Sequence, residues 1–241
     1  MVPQFSDIKF SIETFDYSMH HCYEKVLQSI QESFEFKLTD SITWINLNGL
    51  NHVSDIEALG KHYELHPLVL EDIVNIAQRP KIDEYEDYLF IVLKMLYYDK
   101  DEIVVSEQVS FVLGDNYVLS FQEAEGDVFD SVRDRLRHAK GRIRGLGSDH
   151  LLYALIDALV DHYFIVNETM GNKVEDLEDL LFSGIIKDDL NKQVLQIKKE
   201  LLKVRRVIFP LRDIINRRKI LNTIVNINNL FIPTIIDRIT K

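Results

Sequence analysis

Glu71 and Asp72 stand side by side in HPLVLEDI, a short stretch with a proline near its start. Consecutive helical positions diverge by about 100°, so these two carboxylates are poorly placed to chelate one ion but can serve two ions on neighbouring sides. Asp157 and Asp161 lie four apart in LLYALIDALVDHYF and share one helix face at the edge of an apolar stripe. Carboxylates in that setting are either half-solvated structural groups or cation ligands. A third acidic group, Glu175, Asp176, Glu178 and Asp179 with Asp188 and Asp189, sits where two long periodic segments meet. It reads either as a solvated tip or as an attractor of hydrated cations.

Other chemistry has less to stand on. His62 and His66 have the spacing of two zinc ligands on one helix, but Pro67 pushes residue 66 out of the helical region, so they do not share a face. His20-His21-Cys22 offers soft donors without a second cluster. The phosphate-cradling GxxxxGK[ST], a GxGxxG after a strand, the GxSxG nucleophile elbow and HExxH are all missing, and no catalytic constellation emerges. The reading is therefore of a non-enzyme. Arg133, Arg135, Arg137, Lys140, Arg142 and Arg144 form the one local reversal of charge, read as a solvated helix face and its loop in preference to a phosphate-binding patch.

Composition narrows the class. The chain has 241 residues, 39 acidic against 28 basic, and a net charge of -11, which argues against nucleic-acid binding. With 46% hydrophobic residues it can form one or two domains with a real core. A single cysteine, Cys22, allows no internal disulfide and suits a reducing compartment. Residues 1–10 lack a signal-peptide pattern. The uncharged run from Ile220 to Ile236 carries four asparagines and a proline, which disfavours a membrane span, so the chain reads as soluble.

The elements that must position these groups are of two kinds. The first half predicts an α/β domain over residues 1–147. Alternation at Ile8, Phe10 and Ile12, and again at Phe34, Phe36 and Leu38, predicts strands. Trp44 to Leu47 predicts another, and Tyr88 to Tyr98 a central strand covered on both faces. Val109 to Leu113 and Tyr117 to Phe121 flank Gly114-Asp115-Asn116 as a hairpin. Short helices are predicted over Ser54 to Tyr63, with Ser54 and Glu57 as a capping box, from Pro67, and over Val128 to Lys140. Residues 148–241 change period. One long helix runs from about Ser148 to Leu181, and Phe182-Ser183-Gly184 breaks it. A second carries a heptad seam through Leu190, Val194, Ile197, Leu201, Val204, Ile208, Leu211 and Ile215, implying an antiparallel hairpin with a bend at Pro210. From Ile220 a further helical pattern runs to Lys241 without a stop signal, as a helix cut in mid-course does.

Read together from Trp44 to Arg212, these segments resemble the CorA magnesium and cobalt transporter family. The motifs are HPLVLEDI from His66, QRPKIDEYEDYLFIVLKML from Gln78, SEQVSFVLGDNYVLSFQE from Ser106, GDVFDSVRDRLR from Gly126, LLYALIDALVDHYF from Leu151, and FPLRD from Phe209, where the family usually has tryptophan. The resemblance implies the cytoplasmic part of a homopentameric divalent-cation channel of the cell membrane. It further implies a mixed β-sheet packed with short helices, a long antiparallel helical hairpin, and the start of a stalk helix that leads into the membrane. Regulatory Mg2+, with Co2+ as a second possible ion, is then expected between protomers. Asp72 matches the main ligand and Asp237 its partner on the neighbouring stalk; Glu71 and Asp157 match a second, nearby site. The pore helices and their Gly-Met-Asn signature are not in these residues. A zinc transporter of the same architecture and a coiled-coil scaffold are the competing readings.

Overall fold

The computed structural model describes residues 10–123, 126–182 and 190–216. Seven strands form one mixed sheet: β1 (Ser11–Tyr17), β2 (Cys22–Leu27), β3 (Ile42–Asn48), β4 (Lys81–Glu84), β5 (Leu89–Tyr98), β6 (Val104–Leu113) and β7 (Tyr117–Gln122). Their order across the sheet is β2-β1-β3-β7-β6-β5-β4. Only β3 and β7 pair in parallel; every other neighbour is antiparallel. The helices are α1 (Val53–His62), α2 (Pro67–Val74), α3 (Asp130–Arg137), α4 (Ser148–Phe182) and α5 (Leu190–Asn216).

Two cores lie on opposite faces of the sheet. On one, Leu47, Phe90, Val92, Val112 and Leu119 meet Ile56 and Leu59 of α1 and Val69 and Ile73 of α2. On the other, Trp44, Ile91, Leu93, Met95 and Phe111 meet Phe129 and Val132 of α3, a stripe of α4 from Leu151 to Met170, and Val204 and Val207 of α5. The second core runs across position 148, so the base of the helical hairpin is packed on the sheet. β5 points alternate residues into the two cores, which is why its sequence is almost continuously apolar. It lies one strand in from the edge rather than at the centre, because the short β4 covers its far side.

Three local expectations fail. Ile30–Leu38 is a 3-10 segment, not a strand: Ile30, Ser33 and Phe36 are buried at a period of three while Leu38 is 88% exposed. The start of α1 carries no side-chain cap, because the helix begins at Val53 and Ser54 falls inside its first turn. The basic stretch is a solvated face only in part: Arg137, Lys140 and Arg142 are exposed, but Arg133 is not. Arg133 is buried, with Nη1 and Nη2 donating to Asp127 at 2.5 Å each, Nε donating to Glu13 at 2.8 Å, and its guanidinium 5.2 Å from the Trp44 ring centre. Burial alone would raise the Asp127 carboxyl, but Arg133 outweighs it and holds the group below its usual range. Arg137 pairs with Glu24 through two hydrogen bonds, and Arg144 donates to the carbonyls of Leu136 and Arg137. Of this stretch, three arginines serve to hold α3 in place.

At ~1.5 Å per residue, the 35 residues of α4 extend roughly 52 Å, beyond the sheet it packs on. α5 returns along it. Lys173 Nζ lies 3.9 Å from a Glu200 carboxylate oxygen, Lys203 donates to the carbonyl of Val104, and Pro210 sits inside the helix. The heptad seam is covered only near the sheet: Val204 is buried and Ile208 half-buried, whereas Val194 and Leu201 are about half exposed.

Candidate cation site at the end of α2

α2 starts where its proline allows. Pro67 occupies the first turn, and His66 caps it, its Nδ1 accepting from the Leu68 amide at 3.2 Å. Val69 and Ile73 anchor the buried side. The last carbonyls of a helix lack partners within it. Here the sheet supplies two of them: Gln108 Nε2 donates to the carbonyls of Asp72 (3.0 Å) and Ile73 (3.2 Å); just past the helix, Lys94 Nζ donates to the carbonyl of Ile76 (2.7 Å). Burial pushes the Lys94 ammonium below its usual pKa, against the pull of Glu123 and Glu107. The backbone at Asp72 is thereby fixed to β5 and β6.

The Asp72 carboxylate is 16% exposed and both its oxygens are engaged. Oδ1 accepts from Gln78 Nε2 at 2.5 Å, and Oδ2 from Lys81 Nζ at 2.5 Å. Lys81 also reaches Asp83 at 2.6 Å and lies 5.6 Å from the Phe90 ring centre. Burial alone would lower the Lys81 ammonium, but hydrogen bonds to Asp72 and Asp83 outweigh it and raise its pKa. Beside Gln78 opens a groove of about 650 Å³ whose lining includes Arg79, Lys94, Lys203, Arg205 and Arg206 and no carboxylate. Asp72 itself faces the neutral Gln78 and one cation, Lys81, which it shares with Asp83.

The other expected ligands fall elsewhere. Glu71 is exposed on the neighbouring side of α2. Asp157 is half-buried on α4, across the sheet from α2, and it and Asp161 are both engaged within the chain. Asp237 lies outside the described residues. No group of three or more metal-capable His, Cys, Asp or Glu side chains exists among the described residues. A carboxylate such as Asp72 suits a hard ion, and Mg2+ commonly takes one or two carboxylates and keeps several waters.

The remaining sequence candidates have structural occupations. His62 stacks on Phe34 and hydrogen-bonds its carbonyl at 3.0 Å, while His66 caps α2, so they form no zinc pair. His21 faces Ser18 and Asp16, and burial raises the Cys22 thiol. Glu175, Asp176, Glu178 and Asp179 are exposed on α4; Asp188 and Asp189 lie outside the described residues. Residue reasoning missed Gln78, Lys81, Lys94 and Gln108, the side chains that hold Asp72. Only the Lys81/Asp83 pair left a trace, as two opposite charges two apart on one strand face.

A family model described as CorA-like Mg2+ transporter protein matches residues 39–241. The chain belongs to that family. It is 41% identical over 208 residues to the cobalt/magnesium transport protein CorA of Thermotoga maritima, covering 86% of this chain and 59% of that protein. The chain therefore spans about three-fifths of that family member's length. Two solved structures share the fold. One is the soluble domain of CorA from Methanocaldococcus jannaschii, with a TM-score of 0.67 at 16% identity, covering 97% of this chain and 92% of that one. The other is the ZntB cytoplasmic domain from Vibrio parahaemolyticus, with a TM-score of 0.71 at 14% identity, covering 97% and 89%. Among the described residues, no helix is long and apolar enough to cross a membrane.

Proposed function

We propose that this chain is the cytoplasmic, magnesium-sensing part of a homopentameric CorA-type channel for magnesium and cobalt. The observation that carries the reading is the 41% identity to a cobalt/magnesium transport protein over 86% of the chain. In this reading a regulatory Mg2+ bridges Asp72 of one protomer to Asp237 of the next, and a second ion uses Glu71 and Asp157. The opposite-face placement of α2 and α4 supports sites between protomers, since the sheet keeps Glu71 and Asp157 apart within one chain.

Electrostatics gives the switch its direction. Five chains at -11 each repel when packed side by side, and divalent ions at their boundaries offset that repulsion locally. Occupancy holds a symmetric closed state; when Mg2+ falls, the ions leave and the protomers shift. An ion that binds one state better than another moves the equilibrium by that difference.

The zinc reading draws on the ZntB fold match. The donors argue for magnesium: carboxylates are hard ligands, and the histidines nearest α2 are engaged in capping and stacking. The test is Mg2+-dependent inhibition of flux in the full-length protein carrying Asp72→Asn or Asp237→Asn. The reading expects inhibition to weaken in both. Unchanged concentration dependence in both would remove these residues from the sensor.

A further inference from the structure

We propose that Lys81 is a tethered competitor for the cation position at Asp72, so that an incoming divalent ion competes with an ammonium the chain itself supplies. The proposal rests on the reading of Asp72 as a cation ligand. Lys81 Nζ stands 2.5 Å from Oδ2, and an ion bound to that carboxylate at a magnesium–oxygen distance of about 2.0–2.1 Å sits close beside the ammonium, so two positive charges repel and compete for one group. The other oxygen, Oδ1, already accepts a hydrogen bond from Gln78. Ion binding is therefore favoured when the ammonium leaves.

The structure supplies what an exchange needs. Lys81 touches Asp83 as well, at 2.6 Å, so an ammonium released from Asp72 keeps a carboxylate partner. It stands on β4, a four-residue edge strand, and its side chain is about one-third exposed, which leaves it room to swing. The α2 backbone behind Asp72 is clamped by Gln108, and the chain just past it by Lys94 at Ile76, so the movable parts are the side chains of Gln78 and Lys81. Ion entry thus releases both ends of the 78–81 segment from Asp72, connecting site occupancy to the sheet edge. Lys81 also raises the Mg2+ concentration needed for occupancy, which sets the threshold of the sensor.

The test is a Mg2+ titration of the melting temperature of the 241-residue chain, in which stabilisation grows with the ratio of free ion to dissociation constant. Removing a charge-assisted contact of this kind in Lys81→Gln lowers the Mg2+ midpoint about tenfold. Lys81→Met repeats the test should the glutamine variant fold poorly, and Lys81→Arg, which keeps the pairing, stays near wild type. Arg79→Gln removes a nearby charge that makes no contact with Asp72 and shifts the midpoint by less than about twofold. Equal shifts in Lys81→Gln and Arg79→Gln, or a Lys81→Gln midpoint within twofold of wild type, overturn the competition and leave the site assignment standing. A wild-type chain without a Mg2+ response, or an Asp72→Asn chain with the wild-type response, overturns the site assignment and the competition with it.

Discussion

Replacing Arg133 with methionine tests the tie between α3 and the sheet. The Arg133 and Asp127 side chains are 8% and 5% exposed, and the substitution leaves a buried carboxylate without its counter-ion. Breaking one partner of such a pair typically costs about 3–5 kcal/mol. Asp127 keeps the Phe129 amide at 2.9 Å and the amides of Asn46 and Gln122 at 3.2 Å, which places the expected loss at the low end, about 3 kcal/mol. That is a large share of a typical domain stability of about 5–15 kcal/mol. Urea unfolding at pH 7 reads it as a lower midpoint with unchanged slope. Asp127→Asn combined with Arg133→Met removes the stranded charge and recovers part of the loss. Acid gives a further check. The depressed Asp127 pKa stabilises the fold above the unfolded value of about 3.9, and that stability is lost as pH falls through the folded value. In Arg133→Met the carboxylate instead destabilises while ionised, so the gap to wild type narrows as pH falls, first as the raised carboxyl of the variant protonates above about 4 and then, below about 4, as wild type loses its own contribution. A loss under about 0.5 kcal/mol at pH 7, the size of an ordinary surface change, refutes the role assigned to the pair.

Other expectations follow from the same contacts. Gln108→Leu strands the carbonyls of Asp72 and Ile73, costing about 1–3 kcal/mol in chemical unfolding, and hydrogen exchange accelerates at the end of α2. His66→Ala removes the α2 cap and costs about 1 kcal/mol, with the fold otherwise intact by circular dichroism. Asp83→Asn deprives a displaced Lys81 of its alternative partner, so the Mg2+ midpoint of the melting temperature rises, opposite to Lys81→Gln.

The sequence made the large, periodic elements legible. The α4 limits follow its apolar stripe, Pro67 marks the start of α2, and the β6–β7 turn falls on Gly114-Asp115-Asn116. Elements without a one-sided apolar pattern were not legible. β2 reads CYEKVL and β4 reads KIDE because both are edge strands with little to bury. Phe34, Phe36 and Leu38 imitated a strand because a spacing of two does not reveal whether the backbone coils. Arg133 looked solvated because it belongs to a run of arginines; Asp127 is only six positions away, but the burial that makes the pair matter comes from the fold, which also brings in Glu13 from 120 positions away. For the site, residue chemistry alone offered Asp72 as one acid among many, and the family motifs singled it out. Its engagement by Gln78 and Lys81 depends on how the α2–β4 connection folds back, which no spacing rule contains.

In the proposed function, Mg2+ bridges protomers through Asp72 and Asp237. Light scattering of the 241-residue chain with and without Mg2+ reads this as assembly. Bridging gives a Mg2+-dependent rise in mass toward a pentamer that Asp72→Asn and Asp237→Asn each abolish. A mass indifferent to Mg2+, or a rise that both variants retain, contradicts it.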